Sequence, residues 1–254
     1  MIDDKKIITI ISSQRHGTNF LCSLLKNNFQ EITCYYEIYN EDNDIPVVKE
    51  LSKMREEDPL QFFKEIVKKT NTQIVCYKIF YDQACKFSLD NENELSLVEA
   101  LLQISDVVIF LHRDLLNSYI SFKKAVELDS WIYKDTTEYK ITFDIDDFKD
   151  YVSYQNRWFQ DTKELAQEQD IPFLDIHYES LVSIETPEQV EIFTSFFNEV
   201  FGSESELLFP IQETIQKSEF VKQDKNKEYK DKIENFEEVA GTLQEMGFNV
   251  FSTP

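Results

Sequence analysis

Arg15, His16, Gly17 and Thr18 follow closely on the buried apolar run Ile7 to Ile11 and precede Phe20, Leu21, Leu24 and Leu25 at helical spacing. A strand, a glycine-containing loop and a helix N-terminus together make an anion site. Loop N–H groups and the helix dipole converge on one spot, and Arg15 adds a full positive charge there. Gly17 is the sole glycine before Gly202. A second basic position, Arg113, closes the apolar run Val107 to Leu111, and Ser121 follows eight residues later. Ligands of open α/β sheets bind at the carboxyl ends of strands, so Arg113 is expected to meet the same ligand as the first loop. Glu37 stands just beyond Ile32 to Tyr36 at the end of another strand, where a carboxylate can act as a general base. Tyr35, Tyr36 and Tyr39 are expected to desolvate it and raise its pKa. Lys78 is the only charge in Ile74 to Phe80 and reads either as an active-site cation or as a snorkelling edge residue. His16 reads either as an acid or as a partly exposed loop residue.

These groups need a scaffold, and the chain supplies one. Ile7–Ile11, Glu31–Tyr36, Ile74–Phe80, Val107–Leu111 and Phe173–His177 read as strands alternating with helical segments, the pattern of a parallel sheet with helices on both faces. The expected fold is an α/β, P-loop-like three-layer domain with a mainly parallel central sheet flanked by helices, strand Ile7–Ile11 at its centre. Residues 1–254 read as one domain, of which 211–254 form a lid loop and a closing helix, Ile233 to Met246. A short helix is expected around Val47 to Met54 and another after Pro59. A long one carries Phe148, Gln155, Trp158 and Phe159 as core. Gly202 to Pro210 reads as a linker, and Lys217 to Lys230, with alternating charges and few apolar residues, as a mobile loop. The loop at Gly17 lacks the GK[ST] ending of a Walker A sequence, which suits a phosphate ester handled without metal.

The chain has 254 residues, 42% of them hydrophobic, and a formal net charge of −22. Such a field disfavours nucleic acid, anionic membranes and polyanionic acceptors. Positive charge is therefore informative, and of the arginines (Arg15, Arg55, Arg113 and Arg157) the first and third fall at strand-to-helix junctions. Cys22, Cys34, Cys76 and Cys85 show no CxxC spacing and the histidines lie far apart, so neither a disulfide framework nor a metal site is expected. No stretch approaches the roughly 20 apolar residues of a membrane span, and a cytoplasmic location is the expectation. Oligomeric state is open.

RHGTNF (Arg15 to Phe20) resembles the 5′-phosphosulfate loop of the sulfotransferases that use 3′-phosphoadenosine 5′-phosphosulfate (PAPS): a basic residue, a small one, Gly, Ser/Thr, a polar residue and an aromatic. VVIFLHRDLLNSYISFKKA (Val107 to Ala125) resembles the 3′-phosphate segment of the same enzymes. YEI after the second strand, YKIFYDQ at the third, Trp131, YESL after the fifth, Lys217 and IENF are similar to the bacterial branch related to trehalose and nodulation-factor sulfotransferases. The resemblance implies that Arg15, Gly17, Thr18 and Asn19, with His16 between them, surround the 5′-phosphosulfate and that Phe20 lies near the adenine. It further implies that Arg113 and Ser121 hold the 3′-phosphate and that Lys217 closes over the nucleotide. The implied catalytic set is Glu37 as base with Arg15, Lys78 and His16. The implied reaction is metal-independent transfer of a sulfuryl group from PAPS to a hydroxyl of a carbohydrate or small molecule, releasing 3′-phosphoadenosine 5′-phosphate. The chain departs from the family pattern at His16, where a small residue is usual, at Phe20, where Trp is frequent, and in lacking a His–Leu–Pro type base. A P-loop kinase of a small metabolite and a catalytically silent nucleotide-binding protein are the competing readings.

Overall fold

Runs of β-branched and aromatic residues without interrupting charge form strands that are buried on both faces. The structure, a computed structural model, describes residues 5–89, 93–131, 134–202, 215–220 and 223–250. Its strands are β1 (Lys6–Ile11), β2 (Ile32–Glu37), β3 (Ile74–Ile79), β4 (Val107–His112) and β5 (Phe173–His177). They make one sheet in the order β2-β3-β1-β4-β5, with every neighbouring pair parallel and β1 in the middle. The helices are α1 (Thr18–Asn28), α2 (Pro46–Glu50), α3 (Ser52–Glu57), α4 (Pro59–Lys69), α5 (Tyr81–Lys86), α6 (Ser96–Leu102), α7 (Leu115–Glu127), α8 (Ile145–Glu168), α9 (Tyr178–Val182), α10 (Thr186–Phe201) and α11 (Phe236–Glu245).

Alternation along β1 divides the core into two layers. Ile7 and Ile11 pack with Tyr77 and Phe110 against Phe62 and Ile66 of α4, Leu101 of α6 and Trp158 of α8. Ile8 and Ile10 face the other way, onto Leu21 and Leu25 of α1 and Phe193 and Phe197 of α10. The expected three-layer α/β architecture is the one observed. A third cluster seats the C-terminal segment against α7 and α8, with Ile233, Phe236 and Leu243 packed on Tyr119, Phe143 and Phe148. Carboxylates cap the helices that frame the site: Asp114 accepts from Asn117 N at 2.7 Å at the start of α7, and Asp144 accepts from Asp146 N and Asp147 N at 2.9 and 3.1 Å at the start of α8.

Several boundaries differ from those expected. The segment around Val47 to Met54 is two helices joined at Leu51. The last helix begins at Phe236 because Ile233 instead bridges Ile141 in a β-type contact. The linker 203–210 lies outside the described residues. The charged stretch from Lys217 is mostly exposed or half-buried where it is described, and side-chain contacts hold it at two places, at the residue before it and within it. Asn28 holds Gln216 through two hydrogen bonds of 2.8 and 2.9 Å, and Lys124 Nζ donates to Asp224 at 2.8 Å. Among the described residues no helix is long and apolar enough to cross a membrane.

Candidate functional site

The loop between β1 and α1 is anchored from behind before it offers anything to solvent. Trp158 Nε1 donates to Ser12 O at 2.9 Å, Gln155 Nε2 donates to Ser13 Oγ at 2.7 Å, and Ser12 Oγ donates to Leu111 O at 2.7 Å. The chain then turns through left-handed backbone at Arg15 (φ 66°) and again at Gly17 (φ 83°). At Gly17 the requirement for glycine is double. Beyond the positive φ, a Cβ there would come within 2.2 Å of the Tyr178 ring from the start of α9. Helix α1 starts at the next residue, so its first turn faces the same opening.

That opening is a cleft of about 1180 Å³ over the carboxyl ends of the strands. Arg15, Gly17, Thr18, Asn19 and Phe20 line it, as do Glu37, Lys78, Arg113 and Ser121. Arg15 donates through Nε to Ser121 Oγ at 3.0 Å, through Nη1 to Trp131 O and through Nη2 to Gln223 Oε1. Arg113 Nη1 donates to the carbonyl of Arg15, and its guanidinium lies 5.2 Å from the centre of the Tyr178 ring. Glu179 Oε1 sits 3.6 Å from Arg113 Nε, too far for a hydrogen bond, and that Nε is buried without a hydrogen-bond partner. Burial, and then the neighbouring Arg113, pull the Arg15 guanidinium down to about 10. Two cations held this close call for an anion between them.

On the opposite wall a bulge sets the geometry. Cys34 pairs with Cys76, yet it is Glu37 rather than Tyr36 that pairs with Lys78, so β2 carries one extra residue, and Tyr36 takes it up at φ 56°. Without the bulge Tyr36 would stand opposite Lys78. With it, Glu37 Oε1 lies 2.9 Å from Lys78 Nζ, which also donates to Thr18 Oγ1 at 2.9 Å and Asn19 Oδ1 at 2.6 Å. Lys78 is 1% exposed, which excludes the snorkelling edge reading. Glu37 Oε2 accepts from Asn40 Nδ2 at 3.1 Å and Gln83 Nε2 at 3.0 Å. Of the three tyrosines expected around Glu37, Tyr35 turns its OH to Thr70 and Tyr39 to Pro59 O, while Tyr36 lines the cleft with its ring 5.9 Å from Lys78 Nζ; amide and ammonium groups supply the hydrogen-bond and ion-pair partners of the carboxylate.

Two sequence-based assignments do not reach the cleft. His16 is fully buried, stacks on Phe159 at 5.7 Å and turns its imidazole toward the core, with Nδ1 3.4 Å from Leu111 O. Burial first, and then Arg113, push its pKa down to about 3, so it is a neutral packing residue behind the loop rather than an acid or ligand in front of it. Lys217 is exposed and is not part of the lining. A buried cation from the same segment does line the cleft: Lys232, which donates to Asn117 Oδ1 at 2.9 Å. Trp131 is 42% exposed and lines the cleft. Sequence reading missed Lys232, Gln223 and Asn40. Gln83 lay within the quoted YKIFYDQ motif and carried a usable signal; the others reach the site only through tertiary packing.

No protein-family model matches the chain, and no curated protein matches it. Among solved structures it is similar to thymidylate kinase from Candida albicans. The likeness has 14% sequence identity and a TM-score of 0.37, and it covers 77% of this chain and 92% of that one. The strand order, the all-parallel register and the β1–loop–α1 arrangement make this an α/β domain of P-loop-like fold. Among the described residues no group of three or more His, Cys, Asp or Glu side chains is arranged to hold a metal ion.

Proposed function

We propose that this chain is a sulfotransferase that moves a sulfuryl group from PAPS to an acceptor hydroxyl. One observation carries the reading. Arg15 and Arg113 meet in a single cleft, and Arg15 donates there to three oxygens that are all uncharged. A guanidinium among neutral acceptors exchanges them favourably for a phosphate or sulfate, since charge-assisted hydrogen bonds are the stronger kind. In this reading the loop N–H groups, Arg15, Thr18 and Asn19 receive the 5′-phosphosulfate, and Arg113 and Ser121 the 3′-phosphate. Glu37 takes the proton of the acceptor hydroxyl as its oxygen forms the new bond to sulfur. The bond from sulfur to the 5′-phosphate oxygen breaks, and Arg15 and Lys78 meet the charge that grows on the leaving phosphate. Lys78, 2.9 Å from Glu37 Oε1, holds that carboxylate in place beside the loop.

A second reading, phosphoryl transfer from ATP to a small metabolite, draws on one contact. Lys78 brings an ammonium to Thr18 in the loop, as the Lys of a Walker A sequence does from within it. One assay separates the readings: incubation with PAPS or with ATP and Mg²⁺, a panel of alcohols, with and without EDTA. Sulfuryl transfer that persists in EDTA supports the proposal. Phosphoryl transfer from ATP abolished by EDTA supports the kinase. Nucleotide binding without transfer to any acceptor supports a silent nucleotide-binding protein.

A further inference from the structure

We propose that Gln223, which lines the cleft, is a direct ligand of the anionic group that Arg15 holds, donating to it through Nε2. The inference rests on the reading of Arg15 as the anion-binding residue, and it adds a ligand from a part of the chain that no sequence motif marks.

Gln223 lines the cleft, and its Oε1 accepts from Arg15 Nη2. Arginine is donor-only, so the amide oxygen must face it, and this settles the orientation of the side chain. The nitrogen Nε2 is then directed elsewhere, and it is buried without a hydrogen-bond partner. An unpaired buried donor is costly, and native structures keep few of them without a reason. Arg113 Nε is a second such donor in the same cleft. Two buried N–H groups without hydrogen-bond acceptors, on residues that line the same cleft as a guanidinium bonded only to neutral oxygens, ask for a ligand rich in acceptors and negative charge. A phosphate or phosphosulfate meets that demand without displacing Gln223 from Arg15.

The backbone around Gln223 is fixed independently of any ligand. Thr136 N donates to Gln223 O at 3.1 Å, and the next residue, Asp224, accepts from the buried Lys124 at 2.8 Å. The amide is therefore positioned in advance, and ordering it on binding costs little.

The test measures binding of 3′-phosphoadenosine 5′-phosphate and of adenosine 5′-phosphosulfate by calorimetry, with thermal unfolding as the check on folding. Gln223→Ala should weaken both nucleotides about 10- to 100-fold, the range expected for a lost hydrogen bond to a charged group. Gln223→Glu keeps an oxygen for Arg15 but replaces the N–H donor with a second, negatively charged oxygen, and should weaken both by more than the alanine does. Unchanged affinity in Gln223→Ala overturns the inference. So does wild-type affinity in Gln223→Glu, which would mean that the residue only props Arg15. A loss confined to the 3′-phosphorylated nucleotide also overturns it, by moving Gln223 to the other phosphate. If Gln223→Ala does not fold, Gln223→Glu decides alone, retained affinity counting against and loss counting for. Wild-type protein that binds neither nucleotide sinks the parent reading together with this one, whereas the variant results above sink this one only.

Discussion

Glu37 is held by Lys78 at 2.9 Å and by the side-chain amides of Asn40 and Gln83, which fix the direction of its carboxylate. Its proposed work as a base rests on that position. Glu37→Gln should lower kcat by about 10²–10⁴ while leaving nucleotide affinity nearly unchanged, as steady-state rates and calorimetry would show. Near wild-type turnover in that variant would reassign the base. His16 gives a prediction of a different kind. Its folded-state pKa lies near 3, below the ordinary 6.5, so between those values the unfolded chain binds a proton that the folded chain refuses. Stability should therefore rise with pH across this window, His16 costing about 2 kcal/mol at pH 5 relative to neutral pH. Denaturant unfolding of wild type and His16→Asn at pH 5 and pH 7.5 checks it: the variant should lose that part of the slope. The residue types at the loop were readable in sequence because strand, glycine and arginine are adjacent. The direction of His16 was not, because it depends on Phe159, which belongs to a helix far along the chain.

At the scale of elements, the strands announced themselves through uninterrupted apolar runs, and β1 was placed correctly at the centre of the sheet. The bulge in β2 was hidden, because a register shift is a property of two strands and leaves no local pattern in either. It nonetheless decides the site, since it brings Glu37 rather than Tyr36 opposite Lys78. Helix α5 was hidden too: six residues are too few for a helical period to emerge from the motif that contains them. The junction of β1 and α1 supports a quantitative test. Gly17→Ala forces a side chain into left-handed backbone, at about 1 kcal/mol, and against the Tyr178 ring, which as an overpacking error adds about 1–3 kcal/mol. The expected total is a loss of about 2–4 kcal/mol in denaturant unfolding. Adding Tyr178→Ala should return the part due to the clash and leave the part due to φ. A single variant as stable as wild type would show that the loop has slack the structure does not display.

For the molecule as a whole, a net charge of −22 surrounds a cleft whose inner cations include Arg15, Lys78, Arg113 and Lys232. On the proposed function, an anionic nucleotide would approach through a repulsive far field and be held by an attractive near one. Raising the ionic strength shortens the Debye length from about 30 Å at 0.01 M to about 8 Å at 0.15 M, which screens the far field much more than the buried near one. The association rate of 3′-phosphoadenosine 5′-phosphate should therefore increase with salt over this range in stopped-flow measurements, the reverse of the usual behaviour of a phosphate site. A rate that falls with salt would mean that the cleft's own charges dominate even at long range.

The space that a Cβ at Gly17 would need is filled by the ring of Tyr178, and this places a constraint on time as well as on shape. Chains emerge from the ribosome N-terminus first, and β1 with α1 can pair with β3 and β4 long before β5 is made. The Gly17 side of the loop has no ring to pack against until Tyr178 has left the exit tunnel and β5 has added itself to the edge of the sheet. A nascent chain stalled before that point would carry a nearly complete sheet whose loop after β1 is anchored on one side and uncovered at Gly17.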